Sequence, residues 1–414
     1  MTFALFVAYL FVTAAGFWLR YLNLAHLRRH GHEVPPEFAG AVDPATLARI
    51  SDYTVENSRF GLVESAFDAV VLLLFLFGGV LALYDRWIAA LTGSLFWNGI
   101  LFALLLLAAQ SLLGVPFSLY RNFRIENRYG FNTMTLKLWF VDLVKGLVIG
   151  AVLTAILVAG ALWLIAWSPD RWWFWVWLFF LGFSIFLMYV SPTLIEPLFF
   201  KFEPLAVEGL EDRIRQLMER AGLRVSRVFQ VDASRRSRHS NAYFTGIGKV
   251  KRIVLFDTLL QQMSQDEVVA VLAHEVGHWK KKHVLRRIIV TEVAAFLGLF
   301  IASLLIPGDT LPRMLGLGPL SLYAKVVILS FLSSLVLFPL TPLLSALSRR
   351  DEHASDRFAV DLTGMPEAMA SALVKLSKEN LSNLHPHPLY AAFYYSHPPV
   401  VERIRLLWSG ARSQ

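Results

Sequence analysis

Seven long apolar segments constrain the fold of this 414-residue chain more than any other feature. A helix needs about 20 apolar residues to cross the hydrocarbon core of a bilayer. We place the segments near residues 3–22, 65–90, 95–118, 138–166, 172–196, 286–306 and 323–346. The first lacks a basic start and an evident small-residue cleavage site, so we interpret it as a retained span rather than a signal peptide. The pattern predicts an integral multi-pass membrane protein.

The distribution of charge indicates how these spans are oriented. Only 17% of the residues are charged, against about 25% in soluble proteins. Lys and Arg concentrate in the connections after the first, third and fifth spans, which predicts that these loops face the cytoplasm, with the N-terminus outside and the C-terminus inside. The same pattern explains the net charge of +8 without a nucleic-acid partner.

Two regions are polar enough to fold in water, and they define the domain organisation. We assign residues 1–196 to spans one to five and 286–346 to spans six and seven. The polar segments are 197–285 and 347–414. We expect these two segments to form one cytoplasmic domain that the last pair of spans interrupts.

The first polar segment is predicted to contain a helix, a small sheet and a second helix. One face of the first helix is apolar, and Gly222 supplies a stop. That face consists of Leu210, Ile214, Leu217 and Ala221. The β-rich stretches "RVFQVD" and "RIVLFDTLL" flank the turn-bearing "NAYFTGIGK", which predicts hairpin-like strands.

The second helix of this segment carries the motif "HEVGH" at residues 274–278. It begins at the capping-box pattern "SQDE". His274 and His278 are four residues apart, so both imidazoles leave the same helical face, and Glu275 projects beside them. Zinc needs such a pair, a further ligand and room for water, which a neighbouring glutamate can deprotonate. From the motif alone, a solvated helical face is the alternative.

A candidate third ligand follows the seventh span in "SRRDEHASDRFAVD", residues 348–361. Because the chain has no cysteine, a metal must be held by His, Asp or Glu. The last two spans form a down-and-back pair, so this helix returns to the membrane side of His274. Glu352 could complete a site for one Zn²⁺ per chain, and Asp356 could accept the other ring proton of a ligating histidine. Glu352 and Asp356 are four residues apart and share one helical face. His353 points off that face and is not expected to bind metal.

Several separated motifs occur in the order typical of one family. They are "YRNFRIENRYGFN" (120–132), "NAYFTG" (241–246), "RIVLFDTLL" (252–260), "LAHEVGHW" (272–279), "SRRDEHASDRFA" (348–359) and "SHPPVVER" (396–403). In these motifs the chain resembles the Ste24-type CaaX prenyl proteases, integral-membrane zinc metalloproteases of the gluzincin kind. The resemblance implies a mainly α fold. It implies a seven-helix transmembrane barrel around a water-filled chamber, with a cytoplasmic protease domain containing a small β-sheet.

The resemblance also implies a role for individual residues. His274, His278 and Glu352 would ligate zinc, and Glu275 would be the general base. In the C-terminal motif, His397 would stabilise the transition state and Arg403 would help align the site. From the residues alone, His397 before two prolines is a loop histidine, and only the family match gives it a role.

Further site residues follow from the resemblance in the same way. Asn241 and Ala242 would lie on a strand edge that pairs with an extended substrate. Four other histidines are predicted to be surface or loop residues. These are His239, His283, His385 and His387.

These observations predict a zinc endopeptidase that cuts near the C-terminus of prenylated or CaaX-like peptides. Its partners would be such a peptide and the lipid bilayer, and we expect a monomer. The short connection between spans six and seven and a tail without an ER-retrieval signal indicate a bacterial member in the inner membrane, or in the ER membrane if the source is eukaryotic. The alternatives are a quality-control metalloprotease of the heat-shock type and a non-catalytic transporter or lipid-binding protein.

Overall fold

The computed structural model of the protein describes residues 1–245 and 250–411. Its N-terminal half is built from long helices. They are α1 (Thr2–His30), α2 (Pro44–Leu76), α3 (Val80–Ala89), α4 (Leu95–Tyr120), α5 (Leu136–Trp167) and α6 (Trp172–Val190). A single π-helical turn, Arg121–Glu126, extends α4 into the loop that follows it.

Helices α2 and α3 together form one bent element. They meet at an angle of 59°, at a break where Gly79 has a φ of +78°. A left-handed backbone conformation of this kind costs glycine little. With this pair counted as one span, the described residues contain seven helical segments long and apolar enough to cross a membrane. The prediction of a multi-pass, mainly helical protein is therefore confirmed.

The polar segment after α6 contains the sheet. Its elements are β1 (Phe202–Pro204), α7 (Leu210–Arg220), β2 (Arg224–Val231), β3 (Ala242–Thr245), β4 (Val250–Phe256), α8 (Asp257–Gln262) and α9 (Gln265–Lys280). The four strands have the spatial order β1-β2-β4-β3. Strand β3 therefore forms one edge of the described sheet.

The strand directions differ from the hairpin that the sequence predicted between the two β-rich stretches. Strands β2 and β4 are neighbours but parallel, with Val228 opposite Ile253. The antiparallel partner of β4 is β3, which pairs Ala242 with Leu255. The chain leaves β2, passes to the far side of β4 and then returns. Alternating apolar residues predict a strand but carry no information about the direction of its neighbour.

Helix α7 packs as its sequence pattern predicted. Leu210, Ile214 and Leu217 are buried in one core with residues of α9. Gly222 follows the helix with a φ of +67°, a common conformation just beyond a helix C-terminus. This core fixes α9, which carries the "HEVGH" motif, against the sheet.

The C-terminal part of the chain returns to α9. Its helices are α10 (His283–Leu305), α11 (Thr310–Met314), α12 (Leu322–Leu337), α13 (Thr341–Thr363), α14 (Pro366–Glu379), α15 (Pro388–Tyr394) and α16 (Val400–Ala411). A single 3₁₀ turn, Phe338–Leu340, joins α12 to α13, so the last span continues into a polar helix as predicted. Helices α13 and α14 both pack on α9, and α16 packs on α14.

Candidate metal centre

The start of α9 is fixed by a complete capping box. The Ser264 side chain accepts a hydrogen bond from the Glu267 amide, and the Ser264 amide donates to the Glu267 carboxylate. The same buried carboxylate also accepts from Ser371 Oγ at 2.6 Å and from Lys375 Nζ at 2.7 Å on α14. These bonds set the position of α9 relative to the C-terminal helices.

A glycine lets α9 and α13 approach closely. A Cβ atom placed on Gly277 would lie 2.9 Å from the Cα of Ser355, closer than packed carbon atoms can lie. Gly277 stands between the two histidines of the motif, and Ser355 stands between Glu352 and Asp356 on α13. The close crossing therefore brings both carboxylates to the imidazoles.

Three side chains converge at this crossing. His274 Nε2 lies 3.2 Å from His278 Nε2 and 3.2 Å from Glu352 Oε2. His278 Nε2 lies 3.3 Å from Glu352 Oε1. Two ligands about 2.0–2.1 Å from zinc at a tetrahedral angle are separated by about 3.3 Å. The spacing of these three groups therefore fits a tetrahedral metal ion.

The chemistry of the three groups also fits a cation. Glu352 Oε2 is buried and accepts no hydrogen bond from the part of the chain that the structure describes, which is costly for a carboxylate unless a cation satisfies it. Burial lowers the pKa of His274, but its contacts with Asp356 and Glu352 raise it to about 9 overall. The pocket thus favours positive charge at the point where the three groups meet.

A second carboxylate supports His274 from behind. Asp356 Oδ1 lies 2.8 Å from His274 Nδ1, on the side of the ring away from Glu352. Arg403 on α16 donates to both oxygens of Asp356, at 2.6 and 2.8 Å. All three side chains are buried. The arrangement holds the His274 proton on Nδ1 and leaves Nε2 free to bind metal.

Glu275 lies beside the three converging groups, on the wall of a cavity of about 540 Å³ that we call the substrate cavity. His278, Glu352, His397 and Glu196 also line it. Burial raises the pKa of the Glu275 carboxyl above its usual value. A carboxylate of raised basicity next to a metal site is suited to accept a proton from water.

His397 reaches the substrate cavity from the loop after α15. Its Nε2 lies 3.5 Å from Glu352 Oε1, and 62% of its side chain is exposed, so a substrate can contact it. Arg349 on α13 holds this loop by donating to the carbonyl oxygens of Ala391, Ala392 and Tyr395, at 3.1, 3.1 and 2.8 Å. No motif in the sequence indicated this role of Arg349.

Edge strand β3 borders the substrate cavity. Ala242 begins the strand, and Asn241 precedes it with its carbonyl accepting from the Phe256 amide at 3.1 Å. Tyr243, unlike Asn241 and Ala242, lines the cavity, and it donates to Glu196 at 2.6 Å. Glu196, at the end of the fifth apolar segment, therefore lies at this cavity. Burial raises the pKa of Tyr243, so its hydroxyl stays protonated.

One prediction about the remaining histidines is wrong. His283 was expected at the surface or in a loop, yet it is buried at the start of α10. Its Nδ1 lies 3.2 Å from His278 Nδ1. Lys282 just before it has a φ of +58°, which turns the chain back toward α9. No periodic pattern in the sequence predicts such a turn. His353 pairs with Glu402 at 3.3 Å instead, away from the three converging groups.

Two family models together match almost the whole chain. The model described as "CAAX prenyl protease N-terminal, five membrane helices" matches residues 23–201. The model described as "Peptidase family M48" matches residues 204–409. The boundary between them falls at the start of the sheet, where the polar segment begins.

Individual proteins are similar over nearly their full length. The chain is 35% identical to the CAAX prenyl protease 1 homolog of Arabidopsis thaliana over 90% of each chain. It is 32% identical to the Homo sapiens homolog over 90% of this chain and 88% of that protein. The crystal structure of S. mikatae Ste24p superposes with a TM-score of 0.90 at 27% identity, covering 97% of this chain and 98% of that chain. The chain therefore belongs to the CAAX prenyl protease 1 family of M48 membrane metalloproteases.

Proposed function

We propose that the protein is a zinc endopeptidase that cleaves near the C-terminus of prenylated or CaaX-like polypeptides. The observation that carries the proposal is the convergence of His274, His278 and Glu352 beside Glu275 on the substrate cavity. Two histidines and one carboxylate are a ligand set of catalytic zinc sites that keep one position open for water. We therefore assign these three residues to one Zn²⁺ per chain.

Zinc would supply Lewis acidity at this point, which polarises a carbonyl group and lowers the pKa of water toward about 7. Glu275 accepts the proton of the attacking water and then delivers it to the leaving amine. His397 donates from Nε2 to the oxygen that gains negative charge in the transition state. Asp356 and Arg403 keep the ring of His274 in place during these transfers.

The relatives and the edge strand support the proposed substrate class. The curated relatives are named CAAX prenyl proteases. An extended polypeptide can add a strand to an exposed sheet edge through main-chain hydrogen bonds. Asn241 and Ala242 at the start of β3 are the residues to which we assign this pairing, because β3 is an edge strand that borders the substrate cavity.

We further infer that the spans enclose a chamber. In each single-helix span only 6–11% of the apolar window is buried inside the protein, whereas the helices of a solid bundle bury a continuous face. Packing contacts join α4 to α5, α5 to α6 and α6 to α10. Helices that form the wall of a barrel are arranged in this way. The basic loops support a site on the cytoplasmic side of the membrane, and the short connection between α10 and α12 supports a bacterial inner-membrane protein.

A cleavage assay on two matched peptides tests this function. One peptide carries a farnesyl group on the cysteine of a C-terminal CaaX sequence, and the other has the same sequence without the lipid. We expect the purified protein in detergent to release the C-terminal fragment from the farnesylated peptide faster, as measured by mass spectrometry. Equal cleavage of both peptides would instead favour a quality-control protease, for which unfolded membrane proteins are the next substrates to test.

A further inference from the structure

Among the residues that the structure describes, no carboxylate contacts the outer ring nitrogen of His278, in contrast to His274. His274 Nδ1 is held by Asp356 at 2.8 Å. The corresponding atom of His278 instead lies 3.2 Å from His283 Nδ1. The two rings meet at 74° with their centroids 5.2 Å apart. Thus an imidazole occupies the position where metal-ligating histidines usually find a carboxylate, a carbonyl or water.

Hydrogen-bonding chemistry fixes the protons in this pair. Because His278 Nε2 faces His274 and Glu352, it must keep its lone pair to bind a metal, and its proton lies on Nδ1. Between two Nδ1 atoms only one can be the donor. His283 Nδ1 is therefore the acceptor. The hydroxyl of Ser355 lies 3.5 Å from the same atom.

The far side of His283 completes the arrangement. With Nδ1 as the acceptor, the neutral ring carries its proton on Nε2. Asp351 Oδ1 lies 3.6 Å from that nitrogen, and Arg286 donates to both oxygens of Asp351. His283 and Asp351 are both buried. The negative charge of Asp351 favours the tautomer with the proton on Nε2.

The backbone is shaped to place His283 here. On a continuous helix, a residue five positions after His278 would project about 140° away from it. Lys282 lies between the end of α9 and the start of α10 and has a φ of +58°. L-residues that carry a side chain rarely adopt this conformation. Uncommon backbone conformations of this kind persist where the surrounding structure requires them.

We propose that His283 is a positioning residue for the metal centre, linking Asp351 to the outer nitrogen of His278 and thereby fixing the tautomer and orientation of that ligand. The proposal rests on the zinc site proposed above. It predicts that zinc affinity depends on an acceptor at the Nδ1 position of residue 283, and not merely on a polar side chain that fills this space.

Two variants of similar polarity separate these possibilities. In His283→Asn the amide oxygen takes the place of Nδ1 and can still accept from His278. In His283→Gln the amide group takes the place of Nε2, so the contact with Asp351 is kept and the acceptor toward His278 is lost. We expect His283→Asn to bind zinc within about threefold of wild type and His283→Gln to bind about 10- to 100-fold more weakly.

The affinities are measured by chelator competition on the full-length protein in detergent, with His353→Gln as the matched control. The unfolding midpoint of each zinc-stripped variant shows whether it folds. If wild type itself binds no zinc, the proposed site fails; if wild type binds zinc and the Gln variant binds as tightly as the Asn variant, the role of His283 fails. ¹⁵N-histidine NMR of the wild-type protein provides a test without variants: the proposal requires the proton of His283 on Nε2, and a proton on Nδ1 would overturn it.

Discussion

Asp356 lies between two partners, 2.8 Å from Nδ1 of His274 and in a two-pronged ion pair with Arg403. The support of His274, a proposed metal ligand, thus links three separate helices, α9, α13 and α16. Since α16 belongs to the last part of the chain, the C-terminal segment completes the metal centre rather than merely covering it.

Replacement of Asp356 should weaken zinc binding while the fold persists. In Asp356→Ala, His274 loses its acceptor and Arg403 loses its buried partner. We expect a 10- to 100-fold loss of zinc affinity, the usual effect of removing such an outer carboxylate. Chelator competition measures it, and Asp361→Ala, an exposed carboxylate on the same helix, is the control. Equal affinities in both variants would contradict the support of His274 by Asp356.

Substitution of Gly277 should separate α9 from α13. In Gly277→Ala the new methyl group would meet the backbone of Ser355, so the two helices must move apart at the metal centre. We expect a loss of about 1–3 kcal/mol in stability together with weaker zinc binding. Thermal unfolding and zinc titration report these two effects. Gly146→Ala on α5, where an added Cβ meets nothing within 4 Å, should change neither quantity, and a similar response of both variants would rule out the close crossing as the cause.

Arg349 should affect turnover without affecting the metal. In Arg349→Ala, three carbonyl groups at the end of α15 lose their donor, so the loop that carries His397 is no longer held. We expect kcat to fall by about 10- to 100-fold, because small displacements of a catalytic group are costly, while zinc content stays at one per chain. Arg350→Ala, exposed on the same helix, is the control. A normal kcat in Arg349→Ala would show that the loop is positioned by other contacts.

The pH dependence of stability should reveal the contribution of His239. Its ring stacks on that of Phe131 with the ring centroids 4.0 Å apart. Burial lowers the pKa of His239, but its hydrogen bonds to Glu126 and Asn380 raise the pKa above its usual value overall. Protonated His239 therefore stabilises the folded protein fully below about pH 6.5, the pKa expected in the unfolded chain. This stabilisation is lost as the pH rises through the higher pKa of His239 in the folded protein.

We accordingly expect the unfolding midpoint of wild type to exceed that of His239→Gln most strongly at acidic pH, with the difference shrinking as the pH rises. The Glu126→Gln variant lacks the charged partner of His239. Its unfolding midpoint should differ from that of wild type with the same dependence on pH. A midpoint difference that is constant across pH would mean that His239 contributes packing alone.

Local sequence patterns predict some features of this fold and not others. The apolar runs, the α7 face and the Ser264 capping box depend on residues near one another in sequence, and the structure contains all three. The parallel pairing of β2 with β4 and the burial of His283 depend on how the chain reverses between elements. The turn at Lys282 lies in "KKKH", a stretch whose charge suggests only a solvated surface.

The same distinction between local patterns and long-range contacts holds for the candidate site. The spacing of His274 and His278 on α9, and of Glu352 and Asp356 on α13, predicted a shared face on each helix, and the structure brings these side chains together. The sequence contained no comparable signal for Arg349 or Tyr243, because their roles arise from contacts across 42 to 47 positions in the chain. Such partners become visible only once the helices are packed.

We propose above all that one zinc ion and Glu275 together hydrolyse a peptide bond. The most direct test is to measure zinc content and cleavage of the farnesylated peptide for wild type and Glu275→Gln in parallel. We predict one zinc per chain in both proteins and a rate lower by at least about 10²–10⁴-fold in the variant, the range supplied by a positioned general base. Cleavage by zinc-loaded Glu275→Gln at the wild-type rate would contradict the assignment of Glu275 as the base.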